Sequence, residues 1–205
     1  MRFLLGSPLL IEEFGTVDVL IYGGFLHTIS DTAITIRGDG SQAEIYKSGS
    51  LVARRKTSKD VEVEKLFFEP IKGFKVFLGI NDDLQDADNF RLIFYLGIPL
   101  TVVFADRIAI EPQEVFARFW PVAQDNFSVV VSCLKDDKNN SFFYSVFAPI
   151  ELTGDKTGVI CNLQPHYYFE FNFSTLNQLK RKDPVYLKMK DPSYLSFLKK
   201  HFKEQ

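Results

Sequence analysis

Few side chains in this sequence are equipped for chemistry, and those few are scattered. Among 205 residues there are three histidines, His27, His166 and His201, and two cysteines, Cys133 and Cys161. Cys161 and His166 are five apart, a spacing that could serve zinc together with Cys133 and one further ligand. No Cys-x-x-Cys pair supports that use, and Cys133 falls on an alternating apolar face where an inert buried thiol is expected. His27 and His201 have no local partner of catalytic type. Asp82, Asp83, Asp86 and Asp88 crowd one loop, and oxygen ligands at that density suit calcium. The glycine-containing twelve-residue calcium loop is absent, so a solvated connection is expected instead. There is no glycine-rich phosphate cradle, no Gly-x-Ser-x-Gly and no His-Glu-x-x-His. The expectation is no catalytic residue, no metal and no cofactor, with an enzyme built around a dispersed site near His166 kept as an alternative.

The elements that would position such groups read mostly as strands. Ile34 and Ile36 alternate with Thr35 and Arg37, and Asp39-Gly40 then precedes Ala43–Lys47, a hairpin signature. The Arg37-Gly38-Asp39 triplet is read as part of that turn. Gly23-Gly24 separates Val17–Tyr22 from Phe25–Ser30 in the same way. Val61 and Val63 alternate with Glu62 and Glu64. Phe90–Ile98 and Leu100–Phe104 are apolar on both faces, the pattern of central strands, with Pro99 as a break. Glu114–Trp120 and Phe127–Leu134 read as two more strands. Lys135–Asn140 is a polar hairpin loop before Ser141–Phe147, and Gly158–Leu163 and His166–Phe173 complete the series. The 21 phenylalanines fit this picture, because Phe127, Phe169, Phe171 and Phe173 fall on alternating faces.

The fold expected is mainly β: a sandwich-like body, in one domain or two packed β subdomains, with a short C-terminal helix. The units would be an N-terminal β unit at 1–78, a C-terminal β unit at 79–178, and a basic tail at 179–205. Asp191 as cap, Pro192 at the first helical position, and Tyr194, Phe197, Leu198 and Phe202 at helical spacing predict the helix.

That tail carries the strongest local charge. Eight Lys or Arg stand against Asp183, Asp191 and Glu204 from Lys180 onward, although the whole chain has a net charge of −2. Candidate contacts to a partner or an anionic surface are Lys180, Arg181, Lys182, Lys188, Lys190, Tyr194, Phe197, Lys199, Lys200 and Lys203. Nucleic acid, an anionic membrane surface or an acidic protein partner would fit them, while self-association is expected through an exposed edge strand that pairs with a second copy of the chain. The competing reading docks the aromatics on the sheet and leaves the lysines wet. Arg54-Arg55-Lys56 with Lys59 forms a smaller basic cluster.

No stretch reaches the ~18 apolar residues of a membrane span. Pro8, Glu12 and Glu13 interrupt the early apolar run, so a signal peptide is not expected. Two cysteines form no disulfide framework, and a cytoplasmic, reduced protein is expected. The Asn-x-Ser patterns at Asn126, Asn139 and Asn172 are then chance matches.

The order of Phe68-Glu69-Pro70, Leu92–Leu96 ending near Pro99, Phe119-Trp120-Pro121-Val122 and Gly158-Val159-Ile160-Cys161 resembles an uncharacterised, mainly archaeal family, domain of unknown function 432. The Tyr46 to Arg54-Arg55 stretch is similar to the early part of that family. The resemblance spans about residues 45–165, and the tail from about Lys180 lies outside it. It implies a β-rich accessory protein from a prokaryote and supplies no catalytic residues. The function expected is a non-enzymatic binding or assembly module. The alternative to set beside the dispersed enzyme is a β-sandwich that binds a small sugar, lipid or nucleotide in an aromatic pocket.

Overall fold

A computed structural model describes residues 1–25, 32–56 and 67–183. The chain divides into two compact units, Met1–Phe171 and Asn172–Gln205.

The first unit runs β1 (Arg2–Leu5), α1 (Ile11–Phe14), β2 (Val19–Gly23), β3 (Ile34–Gly38), β4 (Gln42–Lys47), β5 (Ser50–Lys56), β6 (Phe67–Ile71) and β7 (Phe74–Ile80). It continues with α2 (Ala87–Leu96), β8 (Leu100–Ala105), α3 (Pro112–Asn126), β9 (Val129–Asp136), β10 (Ser141–Phe147), β11 (Val159–Gln164) and β12 (Tyr167–Glu170). The strands form two six-stranded sheets, ordered β12-β1-β2-β3-β4-β5 and β11-β10-β9-β8-β7-β6. Both are mixed. β1, β2 and β3 are parallel at the centre of the first, and β7, β8 and β9 at the centre of the second.

The sheets pack face to face. The Gly23 amide donates to Tyr144 Oη across them at 3.0 Å. Phe142 lies over Gly23, and Phe104 over Gly38, so close that a side chain at either glycine would strike the ring. On the outer face of the second sheet, Phe77, Val103, Val130, Leu134 and Phe147 pack with Ile93 of α2 and Val115, Phe119 and Val122 of α3. On the outer face of the first, Leu4, Leu20 and Tyr22 meet Ile11 and Phe14 of α1. β8 is buried along its whole length because both of its faces are covered.

This corrects the expected mainly β sandwich. Phe90–Ile98 is not a central strand, and Glu114–Trp120 is not a strand either. They belong to α2 and α3, the crossovers that a parallel β7-β8-β9 sheet requires. α2 misleads because Leu92, Tyr95 and Leu96 add apolar residues beside its buried stripe of Ile93 and Phe94. Its boundaries were written plainly all the same. Asp86 caps the start by accepting from the Asp88 amide at 2.8 Å. Gly97 ends it in the left-handed region, at φ 61°, two residues before Pro99. α3 starts on Pro112, where the missing amide costs nothing, and buries Val115, Phe119, Val122 and Ala123 at helical spacing.

In the second unit, α4 (Phe173–Lys182) begins at Asn172, whose side chain accepts from the Ser174 amide at 3.0 Å. Lys180, Arg181 and Lys182 occupy its last turn, where positive charge complements the helix dipole. The helix expected from Asp191 onward lies outside the described residues. No helix among the described residues is long and apolar enough to cross a membrane.

Candidate functional site at the carboxyl rim of the parallel strands

In open α/β sheets, loops at the carboxyl ends of parallel strands are where function gathers. Here the ends of β3, β7 and β8 meet at one rim, drawn together by Asn81. Asn81 follows β7 directly and has φ 50°, a left-handed conformation that asparagine adopts more readily than most residues other than glycine. It is 8% exposed. Its Nδ2 donates to the Gly40 carbonyl, just past β3, at 2.6 Å. Its Oδ1 accepts from the Asp106 amide, just past β8, at 3.0 Å. One amide side chain thus ties three strand ends together.

Asp106 is the carboxylate so placed. Its side chain is 34% exposed. Its Oδ1 is buried without a hydrogen-bond partner among the described residues, and Arg107 Nε stands 3.8 Å away, beyond hydrogen-bond reach. The carboxyl group rests against Gly40, where a Cβ would lie 2.0 Å from Asp106 Cγ. Beside it opens a cleft of about 490 Å³, walled by Asp106, Ile108, Glu111, Lys135, Asp136 and Phe143 among others. It combines apolar surface, carboxylates and an ammonium group, a composition suited to a small polar molecule.

The acidic loop is largely structural. Asp83 pairs with buried Arg55 and accepts from the Ile80 amide. Arg55 also donates to the Leu78 carbonyl at 2.6 Å. Asp82 meets Arg118 at 3.3 Å, Asp86 caps α2, and Asp88 meets Arg91 at 3.5 Å. Among the described residues, no group of three or more His, Cys, Asp or Glu is arranged to hold a metal ion.

Both thiols are buried. Cys133 lies within β9, fully buried opposite Tyr144, and burial pushes its pKa well above the usual thiol range. Cys161 is buried in β11, and burial raises it to about 12. His166 is exposed in the turn between β11 and β12, whereas Cys161 is buried, and no hydrogen bond joins them. His27 lies outside the described residues. Of the tail candidates, Lys180, Arg181 and Lys182 fall in α4. Lys188, Lys190, Tyr194, Phe197, Lys199, Lys200 and Lys203 lie outside the described residues.

Around Glu44 a separate polar cluster builds. Its side chain, 4% exposed, accepts from Arg37 at 2.8 Å, Arg54 at 2.6 Å and Tyr46 Oη at 2.7 Å. Desolvation alone would raise its pKa, but the bonds from Tyr46, Arg37 and Arg54 outweigh it and hold the carboxyl below its ordinary value.

No protein-family model matches the chain, and no curated protein matches it. Solved structures do resemble it. A CN-hydrolase superfamily protein from Xanthomonas campestris, with an arsenic adduct in its active site, aligns at a TM-score of 0.65 and 13% identity, over 92% of this chain and 96% of that one. The Nesterenkonia sp. AN1 amidase of the nitrilase superfamily, solved with an acetamide moiety attached covalently at its active-site cysteine, aligns at 0.59 and 12% identity, over 88% and 94%. Glutamine-dependent NAD+ synthetase from Acinetobacter baumannii aligns at 0.59 and 14% identity, over 85% of this chain but only 46% of its own. The chain thus spans about half the length of that synthetase.

These likenesses establish the fold: two mixed sheets with helices, as in nitrilase-superfamily proteins. They also correct the expected non-enzymatic binding or assembly module, and with it the ligand-binding β-sandwich, because the solved proteins that share this fold include amidases and other hydrolases. Missing local motifs carried little weight, since in this architecture a site is assembled from separate strand ends.

Proposed function

We propose that this chain is a hydrolase acting on the C–N bond of a small amide-like substrate at the carboxyl rim, with water rather than a thiolate as nucleophile. The fold and its amidase neighbours support the reaction class. The observation that carries the choice of nucleophile is the contrast between two buried, proton-retaining thiols and one part-exposed carboxylate that walls the cleft.

Asp106 takes a proton from water as general base. The resulting hydroxide adds to the carbonyl carbon, and the carbonyl π pair moves onto oxygen. Lys135, which lines the same cleft, supplies positive charge for that oxyanion. The C–N bond then breaks, and the nitrogen leaves as the amine with the proton Asp106 had accepted. The products are a carboxylic acid and an amine, so one water is consumed and no oxidant or reductant is needed.

Steady-state release of ammonia or amine from a panel of small amides tests this. Hydrolysis by the wild type with a loss of roughly a hundredfold or more in Asp106→Asn is the expected result. An Asp106→Asn variant as active as the wild type would overturn it.

A further inference from the structure

We infer that Asn81 is a positioning residue, which sets the orientation of the Asp106 carboxyl group by clamping the loops after β3 and β8. The inference rests on the reading of Asp106 as general base, and it names what holds that base in place.

The turn at Asn81 follows a central parallel strand and leads towards a helix, α2, with a positive φ. Hydrolases use such strand-to-helix turns to present a nucleophile. An amide is not a nucleophile, and here both ends of this one are occupied, by the Gly40 carbonyl at 2.6 Å and the Asp106 amide at 3.0 Å. Those two bonds, one at each neighbouring strand end, fix the side chain in its φ 50° turn. Their joint consequence is the close approach of Gly40 to Asp106. The carboxyl group sits where a Cβ on residue 40 would be, with Oδ1 buried and without a hydrogen bond among the described residues. Without the clamp the two loops separate, water reaches Oδ1, and the carboxyl group loses its fixed direction.

Asn81→Ala removes both bonds, while Asn81→Gly does the same and relieves the backbone. Asn81→Asp retains an acceptor for the Asp106 amide but turns a carboxylate oxygen towards the Gly40 carbonyl. In NMR of the full chain, hydrogen exchange at the Asp106 amide should accelerate roughly tenfold in Asn81→Ala and Asn81→Gly, as expected for one lost hydrogen bond. The Asp106 Cγ chemical shift, read at one fixed pH, should move in all three variants. A purely structural role would lower thermal stability without moving that carboxyl signal. Folded Asn81→Gly protein with unchanged Asp106 amide exchange and an unchanged Asp106 Cγ signal would overturn the inference. Absence of amide hydrolysis in the wild type would instead overturn the functional reading, and it leaves the NMR result to be read on its own.

Discussion

Gly40→Ala is the smallest change that reaches the candidate centre without removing any of its groups. The φ of Gly40 lies outside the left-handed region, so alanine meets no backbone penalty there. The added methyl would stand 2.0 Å from Asp106 Cγ and 2.3 Å from each carboxylate oxygen. Carbon atoms in ordinary contact are about 3.5–4.0 Å apart, so the carboxyl group must retreat by about 1.5 Å or the loop must open. Overpacking of this kind costs about 1–3 kcal/mol. For a chain of this length that lowers Tm by about 2–12 °C. A displacement of about 1 Å in a reacting group costs on the order of 100-fold in rate. The assay is kcat/KM on any amide the wild type hydrolyses, measured beside thermal unfolding. Gly154→Ala serves as the control, because a Cβ there meets nothing within 4 Å. Wild-type rate and wild-type Tm in Gly40→Ala would refute the packing of Asp106 on Gly40, and with it the placement of the base.

Other outcomes follow from the same structure. At pH 8 a thiol with pKa about 12, as for Cys161, is ionised to about 1 part in 10⁴, against about 1 in 10 for an ordinary thiol at 9.0. The greater basicity of such a thiolate recovers only part of this, so iodoacetamide should label it about 50-fold more slowly than a free thiol before burial slows it further. Rapid labelling of the native protein, with loss of activity, would show the thiols to be accessible. Glu44 has a lowered folded pKa, so its stabilisation is present above the ordinary value of 4.5 and is lost as pH falls through the folded value. Glu44→Gln should therefore flatten the acid limb of a Tm-against-pH curve and lower Tm at neutral pH. Breaking a buried pair of this kind costs about 3–5 kcal/mol, a range that partly exposed Arg54 reduces. An acid limb of unchanged slope would contradict the role of the cluster. Arg55→Met should destabilise by a similar mechanism, because it leaves Asp83 and the Leu78 carbonyl without their buried donor. Unfolding in urea measures it, and a wild-type midpoint would count against the role given to Arg55.

Strands with strict alternation were legible in the sequence. The Ile34–Gly38 and Gln42–Lys47 hairpin and the Val129–Asp136 and Ser141–Phe147 pair stand close to where alternation and turn residues put them. The helices were not, and the cause is local. Phe, Ile, Leu and Tyr in α2 fill the gaps between its buried positions, so period 3.6 is hidden under a continuous apolar run. Weighing Asp86, Gly97 and Pro99 as helix punctuation would have recovered it. The error then spread to the site. With α2 and α3 read as strands, β7, β8 and β9 had no crossovers, and nothing suggested a parallel sheet with a functional rim. Asn81 and Asp106 are 25 residues apart and match no motif, so only the topology brings them together. The burial of Cys133 was legible, because it stands in an apolar strand run that the structure buries.

Mass spectrometry of the intact chain under turnover tests the central claim most directly. Wild-type protein is mixed with an amide substrate in H₂¹⁸O, quenched during steady state and weighed under denaturing conditions. The account predicts an unmodified chain mass, one ¹⁸O in the carboxylic acid product, and loss of product formation in Asp106→Asn but not in the Cys133→Ser, Cys161→Ser double variant. An acyl adduct on either cysteine, or full turnover by Asp106→Asn, would contradict it.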